Sequence, residues 1–140
     1  MMGFILPVRV YLEDTDAQGV VYNASYFRFF ERARTEWLRV RGIDHNRLRE
    51  SAGILLVLVG IEVSFRVPAK LGDLLHVSAE LARVSGVRFV FNQSARLESP
   101  DGEILCHAVS EVACVDAETG KPQRLPKNVI ADLRIDEPEK

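Results

Sequence analysis

The sequence predicts an α+β domain in which one curved antiparallel sheet wraps around a single long helix. Three observations lead there. Apolar and aromatic residues recur at helical spacing in one long stretch only, Tyr26 to Val40. Four long runs of strand character follow it, joined by tight, turn-forming connections. A shorter alternating run precedes it. Consecutive antiparallel strands with one helix cannot make a doubly wound parallel sheet, and an aromatic-rich helix needs a broad surface to cover it.

Taken in order, Val8-Arg9-Val10-Tyr11-Leu12-Glu13 alternates at period two, which predicts a half-buried strand with Val8, Val10 and Leu12 on one face. Asp14 to Gly19 interrupts it with turn chemistry, and Asn23 or Ser25 is placed to cap a helix. The helical stripe is Tyr26, Phe29, Phe30, Ala33, Trp37 and Val40, widened by Phe27 and Leu38 and stopped at Gly42. Arg28, Glu31, Arg32, Thr35, Glu36 and Arg39 lie mostly opposite. Asp44 to Ser51 is polar and reads as a short helix or loop. From Leu55 to Val67 every odd position is apolar, a second strand. Pro68 to Asp73 is a loop. Leu75, Val77, Ala79 and Leu81 mark the third strand, and Val87, Phe89, Phe91, Ala95 and Leu97 the fourth. Ser99-Pro100-Asp101-Gly102 is a hairpin turn. Glu103 to Val115 alternates less cleanly, as expected of a strand covered on both faces, and Pro126 to Leu133 can open a short helix. This is the hotdog architecture.

With 140 residues the chain suits one domain, taken as residues 1–135, with the acidic end at 136–140 expected to fray. Lys and Arg number 18 against 20 Asp and Glu, a net charge of −2, so no global positive field exists to hold nucleic acid. Cys106 and Cys114 stand eight apart on one strand, about 26 Å at about 3.3 Å per residue. They cannot bridge, and no zinc spacing is present. The start has no basic region and only a short apolar run, and Ala52 to Ile61 is about half a membrane span. A cytoplasmic protein is expected.

The chemistry concentrates in Asp14-Thr15-Asp16-Ala17-Gln18-Gly19-Val20-Val21-Tyr22-Asn23. It brings carboxylates to a helix start, where unpaired N–H groups carry partial positive charge and can stabilise an oxyanion. Read locally, Asp14 and Asp16 serve equally well as turn caps. A calcium loop is excluded, because its twelfth position is Ser25 rather than Glu.

The block Asp14-Thr15-Asp16-Ala17-Gln18-Gly19-Val20-Val21-Tyr22, with Ala24-Ser25-Tyr26 and Glu31-Arg32-Ala33-Arg34 downstream, resembles the 4-hydroxybenzoyl-CoA thioesterase family. The nearest likeness is its YbgC-like branch of acyl-CoA thioesterases associated with the Tol–Pal system. It continues through Pro68 to Asp73, Cys114-Val115-Asp116 and Leu125-Pro126-Lys127, nearly the whole chain. The resemblance implies a hotdog fold and acyl-CoA hydrolysis without metal or cofactor. It assigns Asp16 as nucleophile or general base and the backbone amide at Asn23 as oxyanion donor. Many relatives carry His at that position; the amide survives the change to Asn23, whereas any role of an imidazole does not.

Gly19, Val20 and Tyr22 join the substrate-binding candidates by their place in the block. Ser64 is added because, with Glu62 and Arg66, it lies off the apolar parity of its strand and could serve a neighbouring subunit. Arg88, with Lys70, Arg83, Arg124 and Lys127, could meet the phosphates of coenzyme A. Glu31 and Arg34, three apart, read as a solvated or interfacial pair. The long sheet edge predicts a homodimer, and the family a tetramer. A dehydratase or isomerase is disfavoured, since no His lies between Asp16 and Arg41. The rival reading is a binding protein that recruits acyl carrier protein or a cell-envelope complex, with weak hydrolysis.

Overall fold

In the computed structural model, which describes residues 3–133, the elements run β1 (Phe4–Arg9), α1 (Asn23–Arg39), α2 (His45–Ala52), β2 (Ile54–Phe65), β3 (Leu74–Ser85), β4 (Arg88–Leu97), β5 (Ile104–Asp116) and α3 (Lys127–Leu133). The five strands form one antiparallel sheet in the order β1-β3-β4-β5-β2, and α1 packs against β3, β1 and β4. This is the hotdog arrangement. The expected tail at 136–140, with residues 134 and 135, lies outside the described residues.

The first strand begins earlier than its alternation suggests. Pro7 tolerates an edge position, since it has no N–H to give the ladder, and β1 pairs only with β3. Val8 and Val10 are buried as expected, but the chain leaves the sheet after Arg9 and closes a 3₁₀ turn at Leu12–Asp14. Leu12 is 75% exposed, so it does not share the core face of Val8 and Val10.

Helix α1 starts three residues before the aromatic stripe, with Tyr22 as N-cap and Asn23 as its first residue; neither Asn23 nor Ser25 caps it. Its core face is Tyr26, Phe29, Phe30, Ala33, Trp37 and Leu38. Trp37 meets Phe91 of β4 edge-on at 5.2 Å. Each such ring withdrawn from water contributes roughly 1.5–3 kcal/mol. Val40 falls past the last turn and is 64% exposed. Gly42 ends the helix with φ +81, and Leu38 O accepts from both Arg41 N and Ile43 N. Asp44 then caps α2, its carboxylate accepting from Arg47 N.

Strand β2 departs furthest from its pattern. Opposite residues of an antiparallel pair share a face, so Leu56 and Leu58, facing Cys114 and Val112, point inward. A bulge between Leu58 and Gly60 then reverses the parity, and Ile61, Val63 and Phe65, facing Ser110, Ala108 and Cys106, become the inward set. The unbroken odd-numbered run therefore spans two faces. β2 is also a sheet edge, and Val57, Leu58 and Val59 remain exposed.

The inner faces of the central strands are buried: Leu75, Val77, Ala79 and Leu81; Phe89, Phe91, Gln93 and Ala95; Cys106, Ala108, Ser110, Val112 and Cys114. On β5, His107, Val109 and Glu111 of the other face are half-buried. Both cysteines are free thiols, and burial pushes Cys106 up to about 12 and Cys114 to about 11.

A polar cluster of Arg34, Gln93 and Ser110 interrupts this interior. The Arg34 guanidinium, 7% exposed, donates through Nη1 to Gln93 Oε1 at 3.0 Å and Ser110 Oγ at 3.2 Å. Gln93 Nε2 donates to the carbonyls of Phe30 and Ser78. Arg34 is thus buried, and among the described residues it makes no ion pair with Glu31, one turn away on the same helix.

Candidate active site

The segment between β1 and α1 is a folded loop held at many points. Asp16 N donates to Val20 O, and Gly19 N to Asp16 O, both at 3.0 Å. Gly19 has φ +78, a conformation that L side chains rarely adopt. Thr15 bridges Val21, and Val20 bridges Lys70. Val21 N donates to Ala69 O at 2.8 Å, and Leu71 N to Gly19 O at 3.1 Å. These bonds bring the segment after β2 alongside the helix start.

The two acids of the block occupy opposite environments. Asp14 is buried, and both carboxylate oxygens are engaged: Oδ2 accepts from Tyr11 N at 2.9 Å and Oδ1 from Arg28 Nη2 at 3.2 Å. Its carbonyl accepts from Tyr22 N and from the Ser25 hydroxyl. Asp14 therefore fastens the loop to the first turn of α1. Asp16 is exposed, and Oδ1 accepts from Gln18 N at 2.8 Å. Among the described residues Asp16 Oδ2 has no protein donor.

Asp16 opens on a cleft of about 300 Å³, lined also by Gln18, Val20, Asn23, Tyr26, Phe65 and Arg66. Of the first-turn amides of α1, Ser25 N donates to Tyr22 O at 2.8 Å, and the Tyr22 side chain caps none of them. A carboxylate and the positive end of a helix thus border one cleft. Tyr26 closes the floor, its ring 5.9 Å from Phe65. Burial, then the neighbouring Cys106, pushes its phenol up to about 12 against the lowering effect of a backbone hydrogen bond with Ala69, so Tyr26 stays neutral across the ordinary pH range. Among the described residues, no cluster of three His, Cys, Asp or Glu side chains is placed to hold a metal ion.

Asp16, Val20 and Asn23 line this cleft, with Gly19 and Tyr22 in the loop that shapes it. Ser64 and Arg88 do not line it. Ser64 pairs with His107 on the outer face of the sheet, and Arg88 on that face is ion-paired with Glu111. The cleft contains a cation that sequence reading placed elsewhere. Arg66 follows the last residue of β2, where strand parity no longer applies, and it lines the cleft instead of sharing the face of Ser64. The available signal was Pro68, which marks the end of the strand.

The thioesterase-like superfamily model matches residues 10–133, including the loop, the helix start and the far wall of the cleft. The chain belongs to the thioesterase-like superfamily. Within it, the chain is 44% identical over 129 residues to the acyl-CoA thioesterase YbgC of Haemophilus influenzae, covering 92% of this chain and 93% of that one. It is 40% identical over 131 residues to the acyl-CoA thioester hydrolase YbgC of an Escherichia coli O6:H1 strain, covering 94% and 96%. A probable thioesterase from Bartonella henselae shares the fold with a TM-score of 0.81 and 35% identity, over 89% of this chain and all of that one. Among the described residues of this superfamily member, no helix is long and apolar enough to cross a membrane.

Proposed function

We propose that the chain hydrolyses acyl-CoA thioesters at the Asp16 cleft. The observation that carries this reading is the division of labour between two neighbouring acids: Asp14 is consumed by structural bonds, while Asp16 keeps an oxygen free beside the start of α1. The names of the YbgC relatives supply the substrate class.

In this mechanism the thioester carbonyl rests against the first turn of α1, and the Asn23 amide donates to its oxygen as negative charge develops there. Asp16 acts on the carbonyl carbon in one of two ways. It attacks directly, breaking the C–S bond and forming a mixed anhydride that water then hydrolyses, or it takes a proton from an attacking water. Both routes release the CoA thiol and a free carboxylic acid. Arg66 places positive charge at the cleft wall.

A second copy completes the arrangement. β2 is an edge with exposed Val57 and Val59, and pairing two such edges would extend the sheet and cover them. The family expectation of a dimer or tetramer, a cytoplasmic location and a link to the Tol–Pal system belong to the same reading, whereas an acyl-carrier-protein partner belongs to the rival reading of a binding protein with weak hydrolysis.

Thiol release from a panel of acyl-CoAs tests it, with wild type and Asp16→Asn in parallel. Turnover by wild type that falls at least about a hundredfold in Asp16→Asn is expected for loss of a nucleophile or base. Equal turnover by both proteins would remove Asp16 from the mechanism.

A further inference from the structure

A second cavity, of about 350 Å³, lies between the later half of α1 and the inner face of the sheet. Most of its wall is apolar, with Leu56, Leu58, Phe89, Phe91 and Val112, and the exposed or half-buried Glu31, Thr35 and His45 line it as well. None of its lining residues lines the Asp16 cleft.

Of the four polar residues that line this cavity, Arg34 is the buried one. Arg34 is more than nine-tenths buried and lines it. Its hydrogen bonds among the described residues go only to the neutral acceptors Gln93 and Ser110, both through Nη1. No described Asp or Glu lies within ion-pair distance. A guanidinium has five N–H donors; two, at Nη1, are used on Gln93 and Ser110, and Nε and Nη2 are not sealed away from the cavity. Burial pulls its pKa down, and the exposed carboxylate of Glu31 at the rim partly opposes that. An uncompensated buried cation is costly, and an anion in the cavity would offset that cost.

We propose that this cavity is a second binding site, for an amphipathic monocarboxylic acid, with the carboxylate on Arg34 and the hydrocarbon chain along the apolar wall. A guanidinium receives a carboxylate through two parallel N–H bonds, and a mostly apolar pocket with a few placed polar groups is the usual form of a small-ligand site. The acid released by the proposed hydrolysis is of this class, and in that respect the inference rests on the reading above. A product held here would leave the Asp16 cleft free for the next thioester.

The structure supplies its own reporter. Trp37 is the chain's single tryptophan, and its ring meets Phe91 of the cavity wall at 5.2 Å. Titrating the full chain with sodium octanoate, octan-1-ol and octylamine, and following Trp37 emission, separates charge from greasiness. Octanoate is expected to give a saturable change at one per chain, about tenfold tighter or more than octan-1-ol, while octylamine gives none. Arg34→Gln should lower octanoate affinity to that of the alcohol. If that variant does not fold, the three-ligand comparison on wild type decides alone. Asp16→Asn should bind octanoate as wild type does, even if hydrolysis is found to use another residue. An alcohol that binds as well as the acid, emission that no ligand moves, or a response lost in Asp16→Asn would each overturn the proposal.

Discussion

The Arg28 guanidinium holds the Asp14 carboxylate at 3.2 Å, and this contact determines which of two closely spaced acids is left for chemistry. Asp14 is tied to the helix that follows it, so the loop carrying Asp16 is fixed at both ends. Asp16 then stands on a rigid support beside the first turn of α1, as a preorganised site requires.

Gly19 is the loop's conformational hinge point. Its φ of +78 is left-handed, and a Cβ there would meet nothing within 4 Å. Gly19→Val is therefore penalised by backbone conformation and not by a clash, by about 1–2 kcal/mol. Denaturant unfolding should show that loss. Turnover should fall more steeply than stability, because the strain is relieved by moving Asp16.

The Arg34–Gln93–Ser110 cluster predicts strong coupling. Gln93→Leu strips Arg34 and the Ser110 hydroxyl of a shared acceptor and removes one bond each from the Phe30 and Ser78 carbonyls, at about 3 kcal/mol. Gln93→Leu combined with Arg34→Met should cost less than the two single changes added together, by about 1–2 kcal/mol. Denaturation of all four proteins completes the cycle, and additive losses would show that the groups are not linked.

Alkaline pH should destabilise the fold through three buried groups. The folded-state values of Tyr26 and Cys106, each about 12, and of Cys114, about 11, lie above the ordinary 10.0 and 9.0. A raised acid binds its proton more tightly when folded, so the stabilisation is complete below pH about 9 and declines as pH rises toward about 12. Stability followed by urea titration from pH 8 upward should fall, and Cys106→Ala should flatten the slope. Neither thiol should react with a disulfide reagent at pH 8 until the chain unfolds.

The β2 edge predicts self-association. Replacing exposed Val57 and Val59 with Lys should turn an oligomer into a monomer, since edge lysines oppose strand addition. Light scattering before and after the change reads this directly. A wild-type chain that is monomeric at every concentration would contradict it.

Much of this architecture was legible in the sequence for simple physical reasons. The aromatic stripe from Tyr26 to Trp37 repeats at helical spacing, and no other packing would bury it. The turn at Ser99 to Gly102 and the alternation of β3 and β4 follow from local chemistry. Three features could not be read. The bulge near Gly60 shifts β2's parity without changing its apolar composition. Leu12 continues the period-two pattern past the end of the strand, into a turn that Asp14 closes locally by accepting from Tyr11 N. Arg34 lies on the charged side of its motif, yet it is buried because Gln93 and Ser110, distant in sequence, give it acceptors. The candidate site divides the same way. The D-x-D block marked Asp16, whereas Arg66 enters the cleft only because β2 ends one residue earlier.

The most direct test compares Asp14→Asn with Asp16→Asn, measuring acyl-CoA hydrolysis and unfolding free energy on both. Asp16→Asn should keep wild-type stability and lose turnover. Asp14→Asn should lose about 1–3 kcal/mol of stability, as expected when a buried carboxylate gives up charge-assisted bonds. It should also retain measurable turnover wherever it stays folded. The reverse pattern, with turnover abolished in a stable Asp14→Asn and preserved in Asp16→Asn, would contradict the assignment of chemistry to Asp16.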